Sequence, residues 1–123
     1  RLQEKNDWNP VRPARPQFRS LTNEEQDALI KKDKRYGRVI CRCENVTEGE
    51  IVAEIHSPVP ARTYDALKRR TWLGTGRCQG GFDLPRVTEI LARELGVSQL
   101  EISKKNGASK YLCSFTKDSR SDQ

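Results

Sequence analysis

Three cysteines and one aspartate carry the residue types and spacing that could do chemistry in this chain. Cys41 and Cys43 stand one residue apart in "VICRCENVTEGE", and Cys78 sits in "GTGRCQGGFDLPRV", with Asp83 a few positions further on. Thiolate sulfur is a soft, anionic ligand, so sulfurs converging from two separate stretches would suit a metal. Gly74, Gly76, Gly80 and Gly81 flank Cys78. Their backbone freedom lets N–H groups turn toward sulfur, and their missing side chains leave room for a bulky inorganic group. A helix predicted to begin after this loop would place its positive end at the same spot. Asp83 can be a ligand, the N-cap of that helix, or the mark of a site that has lost a ligand. As a cap it would be followed by Pro85 in the first turn, with Phe82 stapled onto Val87.

Other readings of the cysteines are weaker. Cys41 and Cys43 are too close to bridge each other comfortably, and no export signal precedes them, which favours reduced thiols in a cytoplasmic protein. Cys113 falls in an alternating apolar segment and is expected to be a small core residue. His56, the single histidine, is expected at a solvated helix end. Neither a nucleophile–base pair nor a phosphate-binding fingerprint is visible, so the chain by itself is not expected to be catalytic.

The elements that must position these residues can be read from caps and periodicity. Residues 1–20 carry Pro10, Pro13 and Pro16 interleaved with Arg12, Arg15 and Arg19, and predict an extended linker anchored by Trp8 and Phe18 on a neighbouring domain. Thr22 with Glu25 is a capping box, predicting a helix over 23–32, and Thr47 with Glu50 is a second box, with Val46 stapling onto Ile51. Ile51, Val52 and Ile55 form the buried stripe of that second helix, which must stop before Pro58. Thr63 caps a third helix with Trp72 turned inward and Gly74 as terminator. Leu84, Val87, Ile90, Leu91 and Leu95 mark the core face of a fourth, closed by Gly96. Asn106-Gly107 predicts a type I′ hairpin in which Ile102 faces Tyr111 and Leu100 faces Cys113. The expected fold is mainly α, a helix-turn-helix metal-site domain with a leading helix and a small C-terminal hairpin. Its parts are a linker over 1–20, a helical cysteine domain over 21–96, a hairpin extension over 97–117 and a frayed tail over 118–123.

Composition bounds the partners. Hydrophobic residues make up 34% and charged residues 33%, so one domain with a modest core is expected. No apolar run is long enough to cross a membrane. The net charge of +6 permits a helix-turn-helix that binds nucleic acid. Its dispersal among 23 basic and 17 acidic residues argues instead for a solvated surface and no nucleic-acid partner. The chain opens on Arg1 and has no methionine, which predicts a piece of a longer polypeptide.

The "CRC" pair, two helices and then "GTGRCQGGF" resemble the bacterioferritin-associated-ferredoxin type of [2Fe–2S] domain. "YGRVICRCENVTEGEI", "ARTYDALKRRTWLGTGRCQGGF" and "PRVTEILARELG" are similar, more specifically, to the C-terminal domain of FAD-dependent, anaerobic-type glycerol-3-phosphate dehydrogenases. The resemblance implies cluster ligands at Cys41, Cys43, Cys78 and the position of Asp83, where the family has cysteine. It also implies an accessory electron-transfer role beside a flavin domain of the same polypeptide, which holds FAD and oxidises glycerol 3-phosphate. The parent could then associate peripherally with the inner face of the cell membrane. Arg42 and Arg77 would supply counter-charge to a dianionic cluster, with Gly76, Gly80 and Gly81 lining it. Because residue 83 is aspartate, a zinc ion in a Cys₃Asp site and an empty site stand beside the cluster as alternatives.

Overall fold

In the computed structural model the described residues are 2–3, 5–11 and 13–117. Arg1, Arg12 and the tail expected to fray over 118–123 lie outside them. Four helices dominate: α1 (Asn23–Lys32), α2 (Glu48–Ile55), α3 (Tyr64–Thr71) and α4 (Leu84–Leu95). A short antiparallel pair, β1 (Val39–Cys41) and β2 (Val46–Thr47), sits between α1 and α2, with Val39 opposite Thr47 and Cys41 opposite Val46. The fold is therefore mainly α, and its hairpin lies amid the helices.

Local chemistry sets the helix starts. Both capping boxes form: Thr22 accepts from the Glu25 amide while Glu25 accepts from the Thr22 amide, and Thr47 and Glu50 do the same. A cap of this kind stabilises a helix by about 1 kcal/mol. Val46 and Ile51, the staple pair around the second box, are both buried. Thr63 caps α3 through the Ala66 amide, and Gly96 closes α4 in the left-handed region at φ 66°. The core gathers Ile51, Val52 and Ile55 of α2, Leu67 of α3, Leu73 and the Val87, Ile90 and Leu91 face of α4.

Several expectations fail, each for a local reason. Trp72, expected inward, is itself the left-handed C-cap of α3 at φ 67° and is 57% exposed; the reversal sends its neighbour Leu73 inward instead. Phe18 does anchor the leading segment, but on this domain: it is buried, its amide donates to Glu50, and Arg15 donates to the Ala53 carbonyl and pairs with Glu54 on α2. Trp8 is exposed. The C-terminal pairing keeps the predicted register but amounts to one bridge, Ser103 with Lys110. Its turn is not type I′, because neither Asn106 nor Gly107 has positive φ; the Ser109 hydroxyl accepts from the Lys105 and Asn106 amides instead. Leu100 lies in a 3₁₀ turn (Gln99–Glu101), so it has no strand partner, and Cys113 is exposed rather than in the core. This segment still matters to the site, since the Tyr64 and Asp65 amides at the start of α3 donate to the Ser103 and Lys104 carbonyls.

Candidate metal centre

Two loops meet where the sequence places the cysteines. Cys41 ends β1 and Cys43 follows in the turn to β2, where Asn45 takes φ 54°. Cys78 lies in the loop between α3 and α4, where Gly74 and Gly80 take φ 70° and 84°. A side chain at Gly76 would overlap the Cys43 Cβ, so glycine there is what lets the loops touch.

Backbone N–H groups turn toward sulfur, as the glycine pattern predicts. Cys41 receives the Gly74 and Glu44 amides and Cys78 receives those of Phe82 and Gly80. Burial nevertheless wins at Cys41, which is 1% exposed, and the neighbouring Asp83 carboxylate adds to it, so its thiol is pushed above the ordinary cysteine value. At the more open Cys78 the Phe82 and Gly80 amides, followed by the Cys43 thiol, hold the value below ordinary.

The side chains divide into two sets. Cys43, exposed, and Cys78, half-exposed, lie toward the surface. Cys41 and Asp83 lie underneath with a residue that the sequence reading missed, Tyr64. The Tyr64 hydroxyl donates to Asp83 Oδ1 at 2.7 Å. It occupies the space between the loop's glycines, because a Cβ on either Gly74 or Gly80 would collide with it. Burial first, then the bond to Asp83, drives the Tyr64 phenol far above its usual range. The Tyr111 ring packs edge-on against Tyr64, 5.9 Å between centroids, and holds it in place. No spacing signal connects residue 64 to residue 83; the only clue was a polar tip on an otherwise core position.

Asp83 does not cap α4, since its side chain makes no capping bond there; it turns inward and is 1% exposed. Its Oδ2 is buried with no hydrogen-bond partner. Phe82 is not stapled to Val87 but is 63% exposed, under the Arg42 guanidinium at 5.2 Å from the ring centroid. Arg42 is thus engaged in a cation–π contact at the surface, and Arg77 is exposed. Gly81 closes the loop on Cys78 by donating its amide to the Cys78 carbonyl at 2.9 Å.

These residues do not fit a four-thiolate [2Fe–2S] group. The amide frame suits anionic sulfur, but the fourth ligand is a carboxylate already bound by Tyr64, whose hydroxyl fills the glycine cradle. Among the described residues, no three His, Cys, Asp or Glu side chains are grouped closely enough to hold a metal ion.

Comparison with known proteins agrees with the spacing of the motif. Residues 39–93 match the family described as BFD-like [2Fe-2S] binding domain. A glycerol 3-phosphate dehydrogenase of Caloramator mitchellensis is 56% identical over 117 residues, covering 95% of this chain and 24% of that relative. No solved structure matches the chain. No helix among the described residues is long and apolar enough to cross a membrane.

Proposed function

We propose that this BFD-like chain is a non-catalytic accessory domain of an FAD-dependent, glycerol-3-phosphate dehydrogenase-type enzyme, and that it serves that enzyme as a metal-free interaction module. Its 56% identity to 24% of a glycerol 3-phosphate dehydrogenase supports the parent enzyme, whose flavin part would be its partner and would carry the FAD and the substrate chemistry. The metal-free assignment rests on the hydrogen bond from Tyr64 to Asp83 in the glycine cradle. That bond gives the domain a packed polar centre where the family's name implies a cluster. Electron transfer through Cys41, Cys43, Cys78 and Asp83, with Arg42, Arg77, Gly76, Gly80 and Gly81 around the group, is the role it displaces.

The test is iron, acid-labile sulfide and zinc content of anaerobically prepared protein, with its visible spectrum. The expected result is a colourless chain without stoichiometric metal. A red-brown protein bleached by dithionite, with iron and sulfide at one cluster per chain, overturns the reading. Asp83→Cys is expected to raise iron and sulfide after reconstitution, and further when combined with Tyr64→Leu, which empties the cradle. A second reading, a structural zinc site, is favoured by one observation, the unpartnered Asp83 Oδ2 beside Cys41. Stoichiometric zinc lost on Asp83→Ala would establish it.

A further inference from the structure

We propose that the outer face of α3 is a nucleotide site, which holds an aromatic ring on Trp72 and the attached phosphates on Lys68, Arg69 and Lys104. A cavity of about 430 Å³ opens there, lined by those four residues together with Asp65 and Thr75. Its volume falls in the range of small-molecule sites. Asp65, Lys68, Arg69 and Trp72 are spaced three or four positions apart, so they share one side of the helix. Lys104 comes from the C-terminal segment and is fixed from two directions. Its amide donates to the Ser109 carbonyl at 2.8 Å, and its carbonyl accepts from the Asp65 amide at 2.9 Å. The cavity thus has walls from two distant parts of the chain.

Two features separate this face from an ordinary solvated one. The first is Trp72, which takes φ 67°, a left-handed conformation that a bulky residue enters only under strain, and is 57% exposed. Its amide donates to the Lys68 carbonyl at 3.0 Å, and its carbonyl accepts from the Thr75 hydroxyl at 2.6 Å and the Thr75 amide at 3.2 Å. Backbone bonds therefore hold the turn, and nothing in it calls for an indole. The second is unpaired charge. Arg70 pairs with Glu54 at 3.5 Å, whereas Lys68, Arg69 and Lys104 have no ion-pair partner among the described residues. The last turn of a helix favours cations, which accounts for Lys68 and Arg69 but not for Lys104 or the indole. Three cations against the single carboxylate of Asp65 suit a short phosphate chain, and the flat indole beside them suits a ring joined to it. Adenosine diphosphate is the simplest group with both parts, and it exists free or as half of FAD. The assignment does not depend on the metal content of the cysteine loops.

Trp8→Phe leaves Trp72 as the only tryptophan of the full chain. In the experiment its fluorescence, backed by calorimetry, is followed as ADP, FAD, adenosine, inorganic phosphate or poly-glutamate is added. ADP or FAD is expected to quench it saturably with a Kd below about 1 mM that weakens with added salt, and adenosine and phosphate to bind at least about tenfold more weakly. Binding tighter to ADP than to FAD assigns a free nucleotide, and equal or tighter binding of FAD assigns the dinucleotide of a flavin part. Lys68→Ala and Lys104→Ala should each weaken the better ligand about tenfold. Trp72→Gly relieves the positive φ, so it should keep the circular dichroism spectrum and lose binding by calorimetry. Absence of saturable binding by ADP and FAD, phosphate binding as tightly as either, or an affinity unchanged in Trp72→Gly overturns the site. Quenching by poly-glutamate alone assigns the face to an acidic protein partner and overturns the nucleotide as well.

Discussion

Among the described residues two carboxylates, Glu48 and Asp83, are at most 1% exposed, and the domain treats them in opposite ways. Glu48, at the start of α2, is fully buried, and both its oxygens are taken: Oε1 by Arg93 at 2.7 Å and Oε2 by Arg38 at 3.1 Å. Burial pushes its carboxyl up, but the hydrogen bonds from Arg93 and then Arg38 outweigh that and hold it below its usual value. Asp83, at the other end of the core, has a neutral phenol on one oxygen and nothing on the other. A buried carboxylate with both oxygens bound by arginine is a structural clamp, here joining the residue before β1 to α2 and α4. A buried carboxylate with an orphan oxygen is a site with capacity left over.

The largest effect should come from unmaking the first carboxylate. Replacing both Arg38 and Arg93 with alanine leaves Glu48 buried without a counter-charge, and should cost about 3 kcal/mol in urea denaturation at neutral pH. The same clamp predicts a pH dependence. Because Glu48 titrates lower in the folded chain, its stabilisation is fully present above the unfolded value of about 4.3 and is lost as pH falls through the lower folded value. Glu48→Gln should flatten that part of the stability–pH curve, and an unchanged slope would refute the clamp.

Next in size is the cradle around the second carboxylate. Gly74→Ala places a methyl at φ 70° against the Tyr64 hydroxyl and should cost about 2 kcal/mol, whereas Gly96→Ala, at φ 66° with open space around it, should cost about 1 kcal/mol. Part of the Gly74→Ala penalty should vanish in a Tyr64→Phe background, a coupling that a double-mutant cycle measures. Tyr64→Phe alone removes the donor from a buried carboxylate and should lower stability by about 1–2 kcal/mol. If it were neutral, the bond would contribute nothing and Asp83 would already be satisfied by another partner. Smallest is the surface clip between α2 and α4, His56 to Glu94 at 2.6 Å, where His56→Ala should change stability by less than about 1 kcal/mol.

Much of this was legible in the residues. The α1 and α2 starts follow from the Thr22/Glu25 and Thr47/Glu50 boxes, and the α4 core face follows from its periodicity, because caps and amphipathic stripes are local and each is encoded within a few positions. The meeting of the two cysteine loops was legible too, from the pair of helices that separates Cys43 from Cys78 and can bring its ends together. Trp72 and Phe82 were misjudged because apolar character does not say which of two neighbours faces the core when the chain reverses between them. The Asn106-Gly107 turn was misjudged because the Ser109 hydroxyl binds the local amides and stabilises a different turn.

The sequence by itself determined the helices, the N-caps of α1, α2 and α3, the BFD-like spacing and the presence of aspartate where a fourth thiolate is expected, all of which depend on residues close together along the chain. What Asp83 does was decided only by the tertiary structure. Tyr64 is separated from it by a helix and a loop, and their hydroxyl and carboxylate meet only because α3, held by the Ser103 and Lys104 carbonyls, delivers the phenol between Gly74 and Gly80. A hydrogen bond acts over about 3 Å of space and is indifferent to distance along the chain, so no local pattern could announce it.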